Sequence, residues 1–292
     1  MTRHLIQSAL APNTLKAYKR SLQSYAIFAG KYGLPCSLPI PAENVSYFLT
    51  YLYHRGSPAS SLASICSALA YFHKLHGFVN PCLDFSVSQI LSAAKKCTPR
   101  ADRRQPITAS LLADMLLTLK NKSLVTQPSL YCAMFSLAFH FGLRISEMTE
   151  SNHNLHLRDI SISPGHLKIS FRTYKHSPEY PNSHEVHASS VLSCPVRLLN
   201  EYLQLRGLSP GPLFLIAGKP VNKTLFSITL RNVLSACGVQ TARFSSHSFR
   251  IGAGTYWAQQ GYSDTQIRLL GRWRSMAMVS YLRGTICHPV HP

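Results

Sequence analysis

The sequence predicts a mainly α-helical protein with one small antiparallel β-sheet, built as an N-terminal helical bundle followed by a larger C-terminal domain. Three observations lead there. Apolar residues recur at three- and four-residue steps along most of the chain, the period of a half-buried helix. Strict apolar/polar alternation occurs in one clear place, HLKISFRTYK, where Leu167, Ile169 and Phe171 point one way and Lys168, Ser170 and Arg172 the other. Between the two regions, TPRADRRQP (98–106) combines two prolines and three arginines with no apolar period, as an exposed connector does. The predicted layout is therefore 1–97, a connector at 98–106, and 107–292.

In the first region, Leu15, Tyr18, Leu22 and Tyr25 form an apolar stripe that follows the cap-like pair Asn13-Thr14 and stops at Gly33. PAENVSYFLTYLYHRG, SPASSLASICSALAYFHKLHG and FSVSQILSAAKKC repeat the pattern, with Pro or Ser at their starts and Gly56 and Gly77 as stops. About four helices result, enough for a small bundle. Past the connector, ITASLLADMLLTLK and SLYCAMFSLAFHFGLRISEMTE read as helices, and the apolar run of the second ends at Phe141-Gly142-Leu143. SPEYPNSHE supplies turn residues after the strand, and EVHASSVL is its expected return partner. VRLLNEYLQLRG and LFSITLRNVLSACG are amphipathic helices closed by glycine. A further helix runs from His247 to Gln260, and Ser263 with Gln266 three residues later forms a capping box for a last one reaching about Leu270.

Charge narrows the function classes. Thirty Lys and Arg against eleven Asp and Glu leave the 292-residue chain at +19, with a pI near 9.9. The excess is spread as +7, +2 and +10 over the three segments, so it describes a long contact surface for a polyanion, such as a clamp around a duplex, rather than one basic arm. On the N-terminal helices Lys16, Lys19, Arg20, Lys74, Lys95 and Lys96, and in the connector Arg100, Arg103 and Arg104, are the groups placed to follow a nucleic-acid backbone. Each alone reads equally well as a solvated surface charge. No window holds eighteen uninterrupted apolar residues, and MTRHLIQSALAPNT is too short in apolar residues for a signal-peptide core, so neither a membrane span nor secretion is expected. Eight cysteines without a CxxC pair point to reduced, mostly buried thiols rather than a zinc ribbon or dithiol centre. His153/His156 and His184/His187 have ligand-like spacing but lack cysteine or acidic companions, which argues against zinc.

The chemistry-bearing stretch is HSFRIGAGTYWAQQGYSDTQIRLLGRWRSMAMVSYLR (247–283). His247 and Arg250, at i and i+3, share one helix face and can converge on one small anion; the planar Arg fork suits a phosphate because it binds two oxygens and stays charged. Trp273 adds a single indole N–H donor. Upstream, Arg144 beside Glu147 reads in isolation as an ordinary helix pair, Trp273 as core, and any of the fourteen tyrosines as core or surface. Tyr256 and Tyr262 sit at positions that suit packing. AGTYWAQQGYSDTQIRLLGRW taken alone also reads as a groove-reading helix-turn-helix.

Together, LRISE around Arg144, HSFR at 247–250, LGRW at 270–273 and YLR at 281–283 resemble the catalytic constellation of the tyrosine recombinase (phage integrase) family. The wording HSFRIGAGT and GRWRS is most similar to recombinases of eukaryotic mobile elements of the Crypton and DIRS types. The resemblance spans essentially the whole chain and implies a SAM-like core-binding domain ahead of a recombinase catalytic domain. It implies a site-specific recombinase or integrase in which Tyr281 attacks a DNA phosphate to give a 3′-phosphotyrosyl link. Arg144 and Arg250 then offset the charge of the pentavalent phosphorus, His247 acts as general acid or base, and Trp273 stands where the family uses His or Trp. Glu147 is the supporting carboxylate, and Lys175, ahead of Lys168, protonates the leaving 5′ oxygen. No metal or cofactor enters. The implied partner is double-stranded DNA, bound by a homotetramer on paired sites and by a monomer or dimer free in solution. The implied compartment is the nucleus in a eukaryote and the cytoplasm otherwise. Only LRGTICHPVHP follows Tyr281, so a long C-terminal helix of the kind that some relatives exchange between protomers is expected to be missing or truncated. A type IB topoisomerase-like relaxer and a non-catalytic DNA-binding protein are the competing readings.

Overall fold

The computed structural model describes residues 9–97, 104–171 and 182–273. The chain forms two compact units, Met1–Asp102 and Arg103–Pro292, each with its own core.

Among the described residues the first unit holds four helices, α1 (Pro12–Tyr32), α2 (Ala42–His54), α3 (Ala59–Leu75) and α4 (Phe85–Cys97). α1 starts earlier than a cap at Asn13-Thr14 would give: Pro12 occupies its first turn, where a missing N–H costs nothing, and Ala11 precedes it without a side-chain cap. Tyr25, Phe28 and Ala29 of α1 pack on Val45, Phe48 and Leu49 of α2 and on Leu62, Cys66 and Leu69 of α3. At 100° per residue Lys16, Lys19 and Arg20 lie on the face of α1 opposite these core residues, and all three are exposed, as are Lys74, Lys95 and Lys96. A buried histidine closes the bundle. His73 accepts the Ile40 N–H at Nε2 (2.8 Å), while its Nδ1 lies 2.7 Å from the Leu69 carbonyl, which fixes the tautomer with Nδ1–H donating.

The second unit is built around α6 (Pro128–His140), whose ten residues from Leu130 to Phe139 are all buried. A helix apolar on every side needs neighbours on every side. α5 (Ala109–Asn121), α8 (Pro195–Arg206) and α10 (His247–Gln259) supply them. α9 (Lys223–Ala236) adds Phe226, whose ring meets Phe135 edge-on at 5.6 Å. α7 (Ile145–Met148) and α11 (Asp264–Leu270) are short.

A three-stranded antiparallel sheet runs in the order β1 (Ile160–Ser163), β2 (His166–Phe171), β3 (Asn182–His187), and a two-residue hairpin pairs β4 (Leu215–Ile216) with β5 (Lys219–Pro220). β2 alternates as its sequence requires, with Leu167, Ile169 and Phe171 buried and Lys168 exposed opposite Glu185. Several expectations need correction. The return strand covers Asn182–His187 rather than Glu185–Leu192, because an edge strand is defined by backbone pairing: Asn182 and Ser183 pair with Phe171 and Ser170 despite their turn-like chemistry. β1 and the β4–β5 hairpin are too short to show a period in the sequence. Of the seven cysteines described, Cys66, Cys132 and Cys194 are buried while Cys36 and Cys97 are exposed, so the thiols are not mostly buried. Tyr256 packs on Phe139 at 5.4 Å, whereas Tyr262, expected to pack, is exposed beyond the end of α10.

α10 is fixed to the start of the unit by backbone alone. Gln105 N–H donates to the Arg243 carbonyl (2.8 Å) and Ile107 N–H to the Ser248 carbonyl (3.1 Å). Gly252 makes that approach possible, since a Cβ there would lie 1.9 Å from the Ile107 carbonyl oxygen. At Gly254 the nearest atom is an indole carbon of Trp273, 3.3 Å away. Two predictions result. Gly252→Ala destabilises the second unit by about 1–3 kcal/mol despite the helix preference for alanine, whereas at Gly254→Ala the preference of about 1 kcal/mol and the tight contact nearly cancel; denaturant unfolding of the two variants measures the contrast. Burial also holds the His140 and His184 imidazoles down to about 4. The unfolded chain takes up these protons first, so stability is full above pH 6.5 and declines as pH falls from there towards 4. His184→Phe flattens that decline in a pH series of urea melts.

Candidate active site

The chain leaves α11 through a turn that decides the geometry of everything around it. Arg272 N–H donates to Leu269 O (3.0 Å) and Trp273 N–H to Arg268 O (3.0 Å), the paired bonds of a Schellman ending. Such an ending needs one residue in the left-handed region, usually glycine. Here that residue is Arg272, at φ +53°, while the preceding Gly271 stays right-handed at φ −76°. The glycine is required for another reason: a Cβ on Gly271 would fall 1.8 Å from the Trp273 indole. The ring lies flat over Gly271 and against Gly254, so the left-handed twist, which costs a non-glycine residue about 1–2 kcal/mol, passes to the arginine.

Two carbonyls of this turn collect two guanidinium groups from distant parts of the chain. Arg250 Nη2 donates to Gly271 O (2.7 Å) and Arg144 Nη2 to Arg272 O (2.8 Å). Arg250 comes from the first turn of α10, three residues after His247; it is buried, its Nη1 donates to the Gly142 carbonyl, and its guanidinium carbon stands 4.9 Å from the centre of the Trp273 ring. Arg144 is not on a helix, as the sequence pairing with Glu147 suggested, but at the N-cap of α7 in extended conformation (φ −80°, ψ 152°). The break has a cause. α6 ends at His140 and Gly142 takes φ +53°, turning the chain so that Arg144 faces the turn at 271–273. The Arg144 side chain remains 27% exposed.

Glu147 sits between these groups, with its side chain 2% exposed. Its Oε2 accepts from the Arg144 backbone N–H (2.7 Å) and from Arg272 Nη2 (2.8 Å); its Oε1 accepts from Arg144 Nη1 (3.1 Å). Burial pushes this carboxyl up, but the charges of Arg272 and Arg144, the Arg144 N–H and the charge of Arg250 outweigh it and hold the group below the ordinary carboxylate range. Arg272 also donates to the carbonyls of Phe141 (3.2 Å), Gly142 (3.3 Å) and Leu270 (3.3 Å) and lies 3.7 Å from the centre of the Phe171 ring at the end of β2. Arg250 and Arg272 therefore share the Gly142 carbonyl, and two guanidinium groups, those of Arg144 and Arg272, pair with one carboxylate.

The structure thus brings Arg144, Glu147, Arg250 and Trp273 together, with His247 half-buried on the first turn of α10. Arg272 was missed in the sequence because an arginine after glycine at a helix end looks like an ordinary solvated C-terminal charge. Lys168 points to the face of β2 opposite Phe171, away from Arg272. Lys175, Tyr281, Arg100 and Arg103 lie outside the described residues, and Arg104 is half-buried. His184 and His187, three apart on β3, project to opposite faces of the strand and cannot share a ligand; the His184 ring meets Phe141 edge-on at 4.8 Å. Among the described residues no three His, Cys, Asp or Glu side chains group as metal ligands, and no helix is long and apolar enough to cross a membrane.

Residues 107–283 match the model of the phage integrase family, and residues 2–76 that of the phage integrase N-terminal SAM-like domain. A curated relative, the tyrosine recombinase XerD of Staphylococcus saprophyticus subsp. saprophyticus, is 25% identical over 175 residues, covering 56% of this chain and 52% of the relative, so the match spans about half of that protein's length. Among solved structures, the XerH site-specific recombinase bound to palindromic difH substrate in a post-cleavage complex superposes with a TM-score of 0.68 at 14% identity, over 91% of this chain and 75% of that one. The lambda integrase dimer bound to a COC′ core site gives 0.62 at 18% identity, over 97% and 76%. The Tn1549 transposon integrase in complex with transposon right end DNA gives 0.63 at 12% identity, over 94% and 89%. At these identities the structural likeness is one of fold, mainly helical with small antiparallel sheets. The family model covers more than half of the sequence and takes in Arg144, Glu147, His247, Arg250 and Trp273 alike: the chain belongs to the phage integrase family, the tyrosine recombinases.

Proposed function

We propose that the protein is a site-specific DNA recombinase or integrase that cuts and rejoins strands through a 3′-phosphotyrosyl intermediate. One observation carries the reading: Arg144 and Arg272 pair with one buried carboxylate, Glu147, while Arg250 is held beside them on the Gly142 and Gly271 carbonyls, so the four groups together carry a net charge of +2 where Arg144 opens to solvent. A phosphodiester going to a pentavalent, doubly charged state is the anion such a centre stabilises, and preorganised donors do so without reorganising during the reaction.

Tyr281 supplies the nucleophile. At a pKa of about 10, roughly one phenol in a thousand is ionised at neutral pH, so the neighbouring arginine charge is needed to favour the attacking phenolate. The Tyr281 oxygen bonds to phosphorus as the 5′ oxygen leaves, and the leaving oxygen takes a proton from Lys175. The outward orientation of Lys168 supports that choice. Rejoining reverses the step with the partner strand's 5′-hydroxyl. His247, on the helix that carries Arg250, exchanges the proton of the attacking or leaving oxygen. The indole of Trp273 covers Arg250 and offers one N–H to a phosphate oxygen.

The N-terminal bundle grips the DNA backbone with Lys16, Lys19, Arg20, Lys74, Lys95 and Lys96, and Arg100, Arg103 and Arg104 of the connector continue the contact. The division of labour is 1–97 for core binding and 107–292 for chemistry. Strand exchange requires four protomers on paired sites. The motif wording favours an element of the Crypton or DIRS type, acting in a eukaryotic nucleus.

Two measurements test this. A nicked suicide duplex carrying the DNA that flanks the coding region traps a covalent adduct in the presence of EDTA; Tyr281→Phe abolishes the adduct and keeps duplex affinity, and Arg144→Ala lowers the trapping rate by about a hundredfold or more. An adduct that persists in Tyr281→Phe overturns the nucleophile, and duplex binding with no adduct from the unaltered chain supports a DNA-binding protein instead. Replacing Lys16, Lys19 and Arg20 together by Gln lowers the slope of log affinity against log salt by about 3, read by anisotropy across a salt series.

A further inference from the structure

We propose that Arg272 is a positioning residue for strand cleavage: it occupies one oxygen of Glu147, which keeps Arg144 from closing on that carboxylate with both arms, and it holds the turn whose carbonyls fix Arg144 and Arg250. The inference rests on the function proposed above.

Its basis is a residue placed where it bears two separate costs. Arg272 adopts a left-handed backbone conformation that glycine takes freely, and its side chain is 1% exposed. Neither cost is needed to form the turn or to cover Phe171. A glycine would make the same Schellman turn, and an apolar side chain would cover Phe171 without a buried charge, an exchange that is often neutral or stabilising elsewhere. What neither replacement provides is competition for Glu147.

The competition follows from the contacts. Glu147 Oε2 is shared between the Arg144 backbone N–H and Arg272 Nη2, while Oε1 accepts from Arg144 Nη1. Arg144 is thereby held to the carboxylate through one side-chain nitrogen, and its Nη2 reaches the Arg272 carbonyl instead. Remove the Arg272 cation, and a buried carboxylate faces one nearby fork whose two arms match its two oxygens. Bidentate pairing is the stronger arrangement and would draw Arg144 off the turn and away from the phosphate. Arg272 also touches Phe171 at the end of β2 and donates to the carbonyls of Phe141 and Gly142, just ahead of Arg144, so the same side chain ties together the three segments that meet at the site.

The test uses the full chain with the suicide duplex described above and compares the unaltered protein with Arg272→Gln, Arg272→Lys and the double variant Glu147→Gln/Arg272→Gln. Glutamine at 272 meets the same left-handed constraint as arginine, so the comparison isolates the charge. Single-turnover adduct formation, duplex affinity and the thermal midpoint are read for each. The expected result for Arg272→Gln is a fall of about a hundredfold in adduct rate with duplex affinity retained, since a misplacement of about 1 Å at a catalytic group is enough for that loss. Arg272→Lys recovers part of the rate. The double variant is faster than Arg272→Gln alone, because the competing carboxylate is gone, even where its thermal midpoint is no higher. An Arg272→Gln rate equal to that of the unaltered chain overturns the proposal, as does a double variant no faster than Arg272→Gln. Should Arg272→Gln fail to fold, the proposal stands or falls on whether Arg272→Lys folds with a lowered adduct rate at retained affinity. No adduct from the unaltered chain overturns the proposed function and this inference together; an adduct from the unaltered chain with no loss in the Arg272 variants overturns this inference alone.

Discussion

A single buried carboxylate makes the site possible. Arg144, Arg250 and Arg272 gather around one turn within a chain already carrying +19, and like charges held near one another away from bulk water repel. Glu147 relieves part of that repulsion, and the backbone carbonyls of Phe141, Gly142, Leu270, Gly271 and Arg272 absorb more of it as hydrogen-bond acceptors. What is left is a centre stable enough to fold and positive enough to hold an anion. Neutralising it fully would have removed its purpose; leaving out Glu147 would have left three guanidinium groups with carbonyls as their common partners.

The carbonyls are available because of three local decisions in the chain. Gly142 turns the backbone out of α6, so the Phe141 and Gly142 carbonyls leave the helix ladder and point at side chains. Gly252 lets α10 lie directly on the Ile107 carbonyl, which sets the position of Arg250. Gly271 accepts the indole of Trp273 where any Cβ would collide, and that transfers the left-handed turn to Arg272. Each glycine removes a steric obstacle for a different partner, which is why the repeated Gly in HSFRIGAGT and LGRW reads as packing chemistry rather than as flexibility.

Much of this was legible in the sequence, and the division between what was and what was not is physical. Long amphipathic helices announce themselves by period, and all four of the N-terminal helices and the two that begin near Pro195 and Lys223 follow from it. β2 was visible because half of it is buried. Its partner β3 was shifted because polar residues on an edge strand carry no period, and β1 was missed because four residues are too few for one to be seen. At the site, motif order singled out Arg144, His247, Arg250 and Trp273 without any geometry, and the structure brings Arg144, Arg250 and Trp273 to one turn. The residues that complete it behave differently. Arg272 is surrounded by apolar neighbours in sequence and by carbonyls in space, and nothing in LLGRW distinguishes a buried guanidinium from a solvated one. The pairing of Glu147 with Arg144 was read as an i, i+3 helix contact, yet the helix begins only after Arg144, and its carboxylate caps the N–H of the residue it pairs with.

That last detail bears on how the centre is held rigid. A carboxylate at the third position of a short helix, accepting the N–H of the N-cap residue, fixes the backbone of Arg144 as well as its side chain. Arg144 is therefore anchored at both ends by the same neighbour, and α7, only four residues long, needs that anchor because a single turn has little stability of its own. Trp273 does the matching work on the other side, with its indole stacked beside Arg250 and meeting Trp257 edge-on at 6.3 Å. The arginines are thus gripped by fixed elements, and under the proposed function the rotational freedom they would otherwise lose on meeting a DNA phosphate has already been removed in folding.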